Sequence, residues 1–322
     1  MTDAINDHDQ AETSRISTSL DVEQLDTNLF RSLRLFIPFR SRGVFGGQVV
    51  SQALVAATKC VDPAYKLHSL HAYFLLSASA TVPMLYYVER LRDGKSYATR
   101  CVRAVQRGQT VYVMLCSFHT PEPWQPTHQW PIPRVPPPDQ SPEDIDILRA
   151  RARAPGVPPA AVQWFEEYAQ ARLSSPIAVR HPGHVVAADG TRTFLYWMKL
   201  REDADYSAPY QKCILAYLSD LHFIHSVTLT LGLKPKGRAH GKEALRMISS
   251  LDHNLTFYEH EFTCNDWILY VMNSPASGSG RGFVTGRLYS REGRLIAVAN
   301  QEGAVRADVR DPDKDRPASS KL

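Results

Sequence analysis

A long apolar stretch in the second half of the chain places the tightest constraint on the fold. Residues 212–233 read KCILAYLSDLHFIHSVTLTLGL and contain no proline, which predicts one continuous helix buried in a core. At about 100° per residue, Asp220 projects from the apolar arc of this helix, beside Ala216 and Ile224. A buried carboxylate without partners is costly. Asp220 is therefore either a core residue held by hydrogen bonds or a residue with a chemical task.

Composition limits the class of protein. The 322 residues are 43% hydrophobic and 22% charged, which is typical of a soluble globular protein with room for two domains. A net charge of +4 allows an anionic ligand but does not indicate nucleic-acid binding. The five cysteines are odd in number and form no CxxC motif, which favours reduced thiols in a reducing compartment. No apolar run is long enough to predict a membrane span.

The two ends of the chain have different predicted roles. Residues 1–24 are mostly polar without an apolar signal segment, and we expect them to be disordered. Residues 309–322 are expected to form a flexible tail. This tail ends in Ser320-Lys321-Leu322, a tripeptide that a peroxisomal import receptor reads. The sequence therefore predicts the peroxisomal matrix as the location and that receptor as a partner.

The remaining chain contains the same pattern twice. In residues 25–120, a helix that starts after Gly46-Gly47 is followed by strand-like segments separated by turns. Residues 174–308 repeat this order of helix and meander, and Cys116 lies as far after Gly108 as Gln301 lies after Gly293. An antiparallel meander beside one long helix is typical of an α+β fold. We interpret the chain as two duplicated domains, joined by a proline-rich surface linker over 121–173 with a short helical patch near 162–172.

Three residues of the second repeat are polar at positions where the helix and strand patterns do not call for a polar side chain: Asp220, Ser250 and Gln301. A carboxylate, a hydroxyl and an amide that converge on one water can orient it and accept its proton, which is general-base hydrolysis. In the first repeat the matching positions carry Gln52 and Cys116. Nucleophilic catalysis is less favoured because the sequence has no GxSxG motif.

Other residues are candidates for binding the substrate. Gly46, Gly47 and Gln48 precede an Ala-rich helix, and their backbone N–H groups are a natural oxyanion site. Arg281 lies in a glycine-rich turn and can meet an anionic group, although a plain connector is the favoured interpretation of that turn. His68-x-x-His71 has no ligand-type neighbour, so we predict no metal site. The sequence also indicates no cofactor.

Several longer motifs resemble those of one family. In the first half these are VFGGQVVSQALVAA, HSLHAYFL and YYVERLRDGKSYATRCVRAVQ, and in the second LAYLSDLHFI, SLDHNLTF and RGFVTGRLYSREGRLIAVANQEGAVR. They are similar to motifs of the acyl-CoA thioesterase II family over roughly residues 25–308. The resemblance implies a double hotdog fold and hydrolysis of fatty acyl-CoA to free fatty acid and CoA. The family's catalytic Asp, Thr or Ser, and Gln fall on Asp220, Ser250 and Gln301.

The resemblance also has limits and alternatives. Where the family usually has Arg-Pro-Gly-Asp, this chain has LSAS at residues 76–79, which leaves the preferred acyl length open. The segment from Asp220 through His222 to His225 resembles an altered form of the motif of hotdog enoyl-CoA hydratases, a second possible activity. A non-catalytic acyl-CoA binding protein is a third. Because hotdog sheets leave edges that pair, we expect a homo-oligomer.

Overall fold

Both halves of the chain contribute strands to one antiparallel sheet, which curves around two central helices. The computed structural model describes residues 12–234 and 243–309. The helices are α1 (Ile16–Leu20), α2 (Gly46–Thr58), α3 (Asp144–Ala152), α4 (Pro159–Ser174), α5 (Ala208–Ser219) and α6 (His225–Thr230). The strands are β1 (Val22–Asp26), β2 (Leu29–Ser32), β3 (Lys66–Phe74), β4 (Leu85–Asp93), β5 (Tyr97–Gln106), β6 (Gln109–His119), β7 (Ile177–Val186), β8 (Arg192–Leu200), β9 (Leu245–Ser250), β10 (Asp252–Phe257), β11 (Ile268–Gly278), β12 (Arg281–Tyr289) and β13 (Leu295–Ala307).

The order of the strands shows how the two halves join. The sheet runs β1-β2-β4-β5-β6-β3-β10-β13-β12-β11-β8-β7, and β9 also pairs with β13. The halves meet where β3 pairs with β10, with Leu255 opposite Leu70. Between β9 and β10, the N–H of Leu251 donates to the carbonyl of Glu302 at 2.9 Å. Strands β9 and β10 therefore pair with successive parts of β13 and are separated only by Leu251, close to Gln301.

The core helices α2 and α5 pack against each other inside the sheet. Ser51 Oγ in α2 donates to the carbonyl of Cys213 in α5 at 2.8 Å. At the other end of the contact, a Cβ on Gly47 would lie 2.7 Å from the carbonyl oxygen of Tyr217. Only glycine allows the start of α2 to approach the end of α5 this closely. As a result, the first half places its helix N-terminus beside the last turn of the second half's helix.

The predicted continuous helix over 212–233 is wrong. Helix α5 ends at Ser219, Asp220 is its C-cap residue, and α6 starts only at His225. Between them His222 has a φ of +60°, a left-handed backbone conformation that is uncommon among non-glycine residues. The His222 ring stacks on Tyr196, with ring centroids 5.0 Å apart and planes 12° apart. This tertiary contact accompanies the break and leaves Asp220 at a helix end.

The N-terminal segment differs from its prediction as well. Residues 1–11 lie outside the described residues, but residues 12–24 are ordered and packed. Ile16 and Leu20 are fully buried, and the N–H of Ile16 donates to Glu202 Oε1 at 2.9 Å. Burial of these apolar side chains against the core stabilises the segment, so its predicted disorder is wrong from residue 12 onwards. The predicted flexible tail lies outside the described residues from 310 onwards.

The linker region is only partly a linker. Its proline-rich first part covers one face of the sheet, where Trp197 Nε1 donates to the carbonyl of Pro136 at 3.0 Å. After residue 143, however, the chain forms α3 and α4, of which only α4 overlaps the predicted helical patch. These helices share a small apolar cluster that includes Leu148 and Phe165. The buried pair Arg172–Asp144, with Nε and Oδ2 2.7 Å apart, joins them.

Candidate active site

Asp220 and Gln301, two of the three predicted catalytic residues, are in direct contact. Gln301 is fully buried in β13, and the Asp220 side chain at the end of α5 is 7% exposed. Gln301 Nε2 donates to Asp220 Oδ1 at 2.7 Å. This hydrogen bond fixes the carboxylate and the amide relative to each other. The pair thus places a carboxylate and an amide side by side in the interior.

His253 orients the glutamine from behind. Its Nδ1 lies 3.2 Å from Gln301 Nε2, and its Nε2 lies 2.9 Å from Ser219 Oγ. Because an amide NH₂ can only donate, Nδ1 accepts and Nε2 carries the proton. Burial lowers the pKa of His253, opposed by the charges of Asp220 and Asp252, so the neutral ring this pattern needs is favoured. His253 is not among the site residues predicted from the sequence, because its contact with Gln301 depends on the pairing of β10 with β13.

These contacts leave one acceptor on Gln301 unused. Its two amide hydrogens point to Asp220 and His253, while Gln301 Oε1 is buried and has no hydrogen-bond partner among the described residues. A buried acceptor without a partner costs about 1–3 kcal/mol. A water that donates one hydrogen to Asp220 and the other to Gln301 Oε1 would satisfy it.

Ser250, the third predicted catalytic residue, lies nearby without contacting the pair. It ends β9 directly opposite Gly303 of β13, so it shares a face of the sheet with Gln301, two residues earlier in the strand. Its side chain is partly buried. Within the described part of the chain, no hydrogen bond joins the Ser250 hydroxyl to Asp220 or Gln301. The structure therefore brings two of the three residues together and places the third beside them.

The start of α2 completes the site from the first half. A Cβ on Gly46 would lie 2.8 Å from Asp220 Oδ2 and 3.1 Å from Cζ of Phe74, so a side chain at this position would collide with the carboxylate. The amides of Gly46 and Gly47 belong to the first turn of the helix, which offers them no acceptor. They are therefore free to meet a negative charge that develops beside Asp220.

Gln48 has a different role from the one predicted. Its N–H donates to the carbonyl of Phe45 at 3.1 Å. Its side-chain amide accepts from the N–H of Phe36 at 3.0 Å and donates to the carbonyls of Ser19 and Arg34. With both groups occupied and the residue 1% exposed, Gln48 holds the N-terminal segment in place and is not available to a substrate.

Two features lie towards the rim of the site. Arg281 starts β12 opposite Ala304, where its Nε donates to Glu302 Oε1 at 2.8 Å and half of its side chain is exposed. The Glu302 carboxylate offsets part of the charge of Arg281, but the guanidinium stays accessible to solvent. The loop over 76–79 borders the start of α2, because the N–H of Val44 donates to the carbonyl of Ala78 at 3.0 Å.

Neither a metal site nor a membrane-spanning helix is found among the described residues. Within residues 12–234 and 243–309, no group of three or more His, Cys, Asp or Glu is arranged to hold a metal ion. The two histidines of the His-x-x-His pair have separate partners: His68 contacts Ser117 and His71 contacts Asn254. Among the helices of these ranges, none combines the length and apolar character that crossing a membrane requires.

Family models match both halves of the chain. Residues 38–119 match the model described as the acyl-CoA thioesterase N-terminal domain. Residues 138–305 match the model described as the acyl-CoA thioesterase C-terminal domain. The boundary at 138 falls in the linker region just ahead of α3. The second model therefore includes α3 and α4 with the half that carries Asp220.

Individual relatives agree with the family models. The chain is 32% identical to mouse (Mus musculus) acyl-coenzyme A thioesterase 8 over 293 residues, which is 90% of this chain and 88% of the relative. Among solved structures, the acyl-CoA thioesterase II TesB2 of Mycobacterium marinum superposes with a TM-score of 0.69 at 32% identity, covering 91% and 98% of the two chains. A protein of unknown function with a hot dog fold from Alicyclobacillus acidocaldarius gives 0.66 at 19% identity, covering 90% and 97%. The double hotdog fold predicted from the sequence is confirmed.

Proposed function

The chain belongs to the acyl-CoA thioesterase II family and is an acyl-CoA thioester hydrolase, and from this premise we propose that Asp220 is its general base. The substrate class is fatty acyl-CoA, which is hydrolysed to free fatty acid and CoA. The observation that carries the proposal is the contact of Asp220 with Gln301 on one side and with the start of α2 on the other. The general base, the amide that orients the water and the donors to the oxyanion therefore lie next to one another.

The proposed reaction uses a water held by the carboxylate and the amide. The water donates its hydrogens to Asp220 and to Gln301 Oε1, and its lone pair attacks the thioester carbon as Asp220 accepts the proton. The carbonyl oxygen becomes an oxyanion and accepts hydrogen bonds from the amides of Gly46 and Gly47. When the C–S bond breaks, the proton on Asp220 passes to the departing CoA sulfur. Ser250 shares this face of the sheet, where its hydroxyl can turn towards the same water.

The alternative activities have less support. In the hydratase interpretation, the histidines that follow Asp220 would act with it. His222 instead stacks on Tyr196, while Gln301 occupies the carboxylate. A binding protein without catalysis would not need the unpaired acceptor of Gln301 beside a buried carboxylate. The family and the geometry both favour the hydrolase.

A thiol-release assay tests the proposal. The full chain is mixed with acyl-CoA of several chain lengths and a thiol reagent, and the wild type is compared with Asp220→Asn. Asparagine keeps the shape and the hydrogen bond from Gln301 but cannot accept a proton. We expect thiol release by the wild type and almost none by the variant at an unchanged Tm. A folded Asp220→Asn protein with a normal kcat would refute the mechanism.

The compartment is a separate part of the proposal. Ser320, Lys321 and Leu322 lie outside the described residues, and a bacterial relative shows that family membership alone does not assign a compartment. We infer import into the peroxisome from the terminal tripeptide, with the import receptor as partner. A fluorescent fusion at the N-terminus should be punctate and should become cytosolic after removal of these three residues. Punctate signal after removal would contradict the inference.

Association into a homo-oligomer is also proposed. Strands β1 and β7 end the sheet, and the groups along a strand edge can pair with another copy. Light scattering at micromolar concentration should give a mass above that of one chain. A monomeric mass would contradict this expectation.

A further inference from the structure

Tyr112 brings a hydroxyl from the first half to the vicinity of Asp220. It lies in β6 with 1% of its surface exposed, opposite Phe74 of β3, and the two ring centroids are 5.3 Å apart. The Phe74 ring also borders Gly46: a Cβ on Gly46 would lie 3.1 Å from Cζ of Phe74 and 2.8 Å from Asp220 Oδ2. Burial raises the pKa of Tyr112, and the charge of Asp220 raises it further. The Phe74 ring thus lies between Tyr112 and the place where the start of α2 approaches Asp220.

The hydroxyl of Tyr112 has no hydrogen-bond partner among the described residues. Tyr112 Oη is buried without a hydrogen bond to any described residue. Two other buried tyrosines are satisfied: Tyr86 donates to Gln52 Oε1 at 2.7 Å and Tyr270 donates to the carbonyl of Ser219 at 2.8 Å. A buried hydroxyl without a partner destabilises the folded state. Phenylalanine would fill the same space without this cost, so the hydroxyl calls for a partner that arrives with the substrate.

The chemistry of the site identifies that partner. The attacking water has both hydrogens committed to Asp220 and Gln301, one of its two lone pairs is needed for attack, and a hydrogen bond donated to the other would weaken the water as a nucleophile. The thioester carbonyl oxygen, by contrast, only accepts hydrogen bonds and gains negative charge in the transition state. Since burial raises the pKa of Tyr112, its hydroxyl remains protonated and can donate.

We propose that the Tyr112 hydroxyl donates a hydrogen bond to the thioester carbonyl oxygen of bound acyl-CoA, beside the amides of Gly46 and Gly47. The proposal rests on the proposed function, in which Asp220 activates the water. It gives the first half a catalytic side chain in addition to its helix start. The oxyanion donors would then come from the first half, and the base and amide from the second.

The test compares Tyr112→Phe with Tyr86→Phe, a matched change of a buried tyrosine in the same half. For Tyr112→Phe we expect kcat to fall about 10²-fold, as for loss of one oxyanion donor, with KM little changed. Its Tm should stay the same or rise, because an unpaired buried hydroxyl is removed. Tyr86→Phe leaves Gln52 Oε1 without its donor, so its Tm should fall while kcat stays within twofold of the wild type.

The outcomes separate this inference from the proposed function. A Tyr112→Phe protein with kcat within twofold of the wild type, while Asp220→Asn is inactive, overturns the role of Tyr112 alone. A fall in kcat together with an equally clear fall in Tm marks a structural role and overturns it as well. If Asp220→Asn retains its activity, the proposed mechanism fails first, whatever Tyr112→Phe shows.

Discussion

The two halves of the chain share one architecture but treat their matching positions differently. In the second half, the position at the end of the core helix holds Asp220, in contact with Gln301 and the start of α2. In the first half, Gln52 is predicted from the sequence to match Asp220; it lies within α2, and its amide is fully used. Gln52 Nε2 donates to the carbonyls of Ser19 and Arg34, and Gln52 Oε1 accepts from Tyr86. The Asp220 carboxylate can still bind a ligand, whereas the side-chain amide of Gln52 is fully hydrogen-bonded within the protein.

The strand positions differ in the same way. Gln301 keeps an unpaired acceptor, whereas Cys116 lies buried with its Sγ 3.7 Å from the carbonyl of Arg100. Burial raises the pKa of the Cys116 thiol, which disfavours the thiolate that a nucleophile or base would require. The first half therefore lacks a proton acceptor at its matching positions. It contributes to the other half's site through the start of α2.

This contrast shows how a duplicated fold can specialise. Because α2 and α5 pack side by side, the N-terminus of one lies at the C-terminus of the other. The amides at the start of α2 in the first half therefore lie beside Asp220 of the second half. The N-terminal segment, through Ser19, closes the matching position of the first half. Among the described residues, the contact of Asp220 and Gln301 thus lies in the second half, against a helix start from the first half.

The largest expected effect on kcat is at Asp220, compared with Gln52 in the first half. Asp220→Asn should lower kcat by about 10²–10⁴, the usual cost of losing a general base, with Tm near that of the wild type. Gln52→Ala should instead lower Tm, because it leaves the buried Tyr86 hydroxyl without its acceptor and removes one of the two amide donors to each of the carbonyls of Ser19 and Arg34. Its kcat should stay close to normal. Steady-state kinetics and thermal melts on the same samples measure the contrast, and equal kinetic losses in both variants would remove it.

The next largest effect on kcat is expected at Gln301, compared with Cys116 in the first half. Gln301→Ala should lower kcat at least about 10-fold because the water loses an acceptor and Asp220 loses a donor. Adding Asp220→Asn should cost far less than the product of the two single effects, since both residues act on one water. Cys116→Ala should affect packing but leave kcat nearly unchanged, and thiol-blocking reagents should not abolish turnover. Loss of activity in folded Cys116→Ala would point to thiol chemistry instead.

A smaller effect is expected from the residue behind the glutamine. His253→Phe keeps a ring but removes the acceptor for Gln301 and the donor to Ser219. We expect kcat to fall about 10-fold and the free energy of unfolding to fall by about 1–3 kcal/mol. The control is His71→Phe, which changes a histidine in the adjacent strand β3 that contacts Asn254. A normal kcat in His253→Phe would show that Gln301 needs no such support.

The smallest effect concerns pH. Burial lowers the pKa of His181 and of His260 from 6.5 to about 4. Between these values the unfolded chain binds more protons than the folded one, so Tm should fall as the pH drops from 6.5 towards 4. Burial raises the pKa of Glu12 and Asp252, which acts in the opposite direction and moderates the slope. Melts at constant ionic strength across this range measure it, and a flat or rising Tm on acidification would contradict the expectation.

Much of the organisation follows from the sequence by itself. Hydrophobic periodicity and turn residues repeat in both halves, and these local signals were sufficient for two core helices, the antiparallel meanders and the duplication. Asp220 was conspicuous because a carboxylate in an apolar run needs an explanation. The glycines at the start of α2 were conspicuous because their amides lie open. Each of these features can be recognised within one segment.

Other features depended on contacts between distant segments. The break after Asp220 contains no glycine or proline, and its left-handed residue, His222, packs against Tyr196. The order of residues 12–24 comes from burial of Ile16 and Leu20 in a core supplied by other segments. Likewise, the role of His253 and the unpaired hydroxyl of Tyr112 depend on which side chains meet in space. Periodicity reports whether a side chain is buried, but only tertiary packing decides which polar atoms receive a partner and which are left for a substrate.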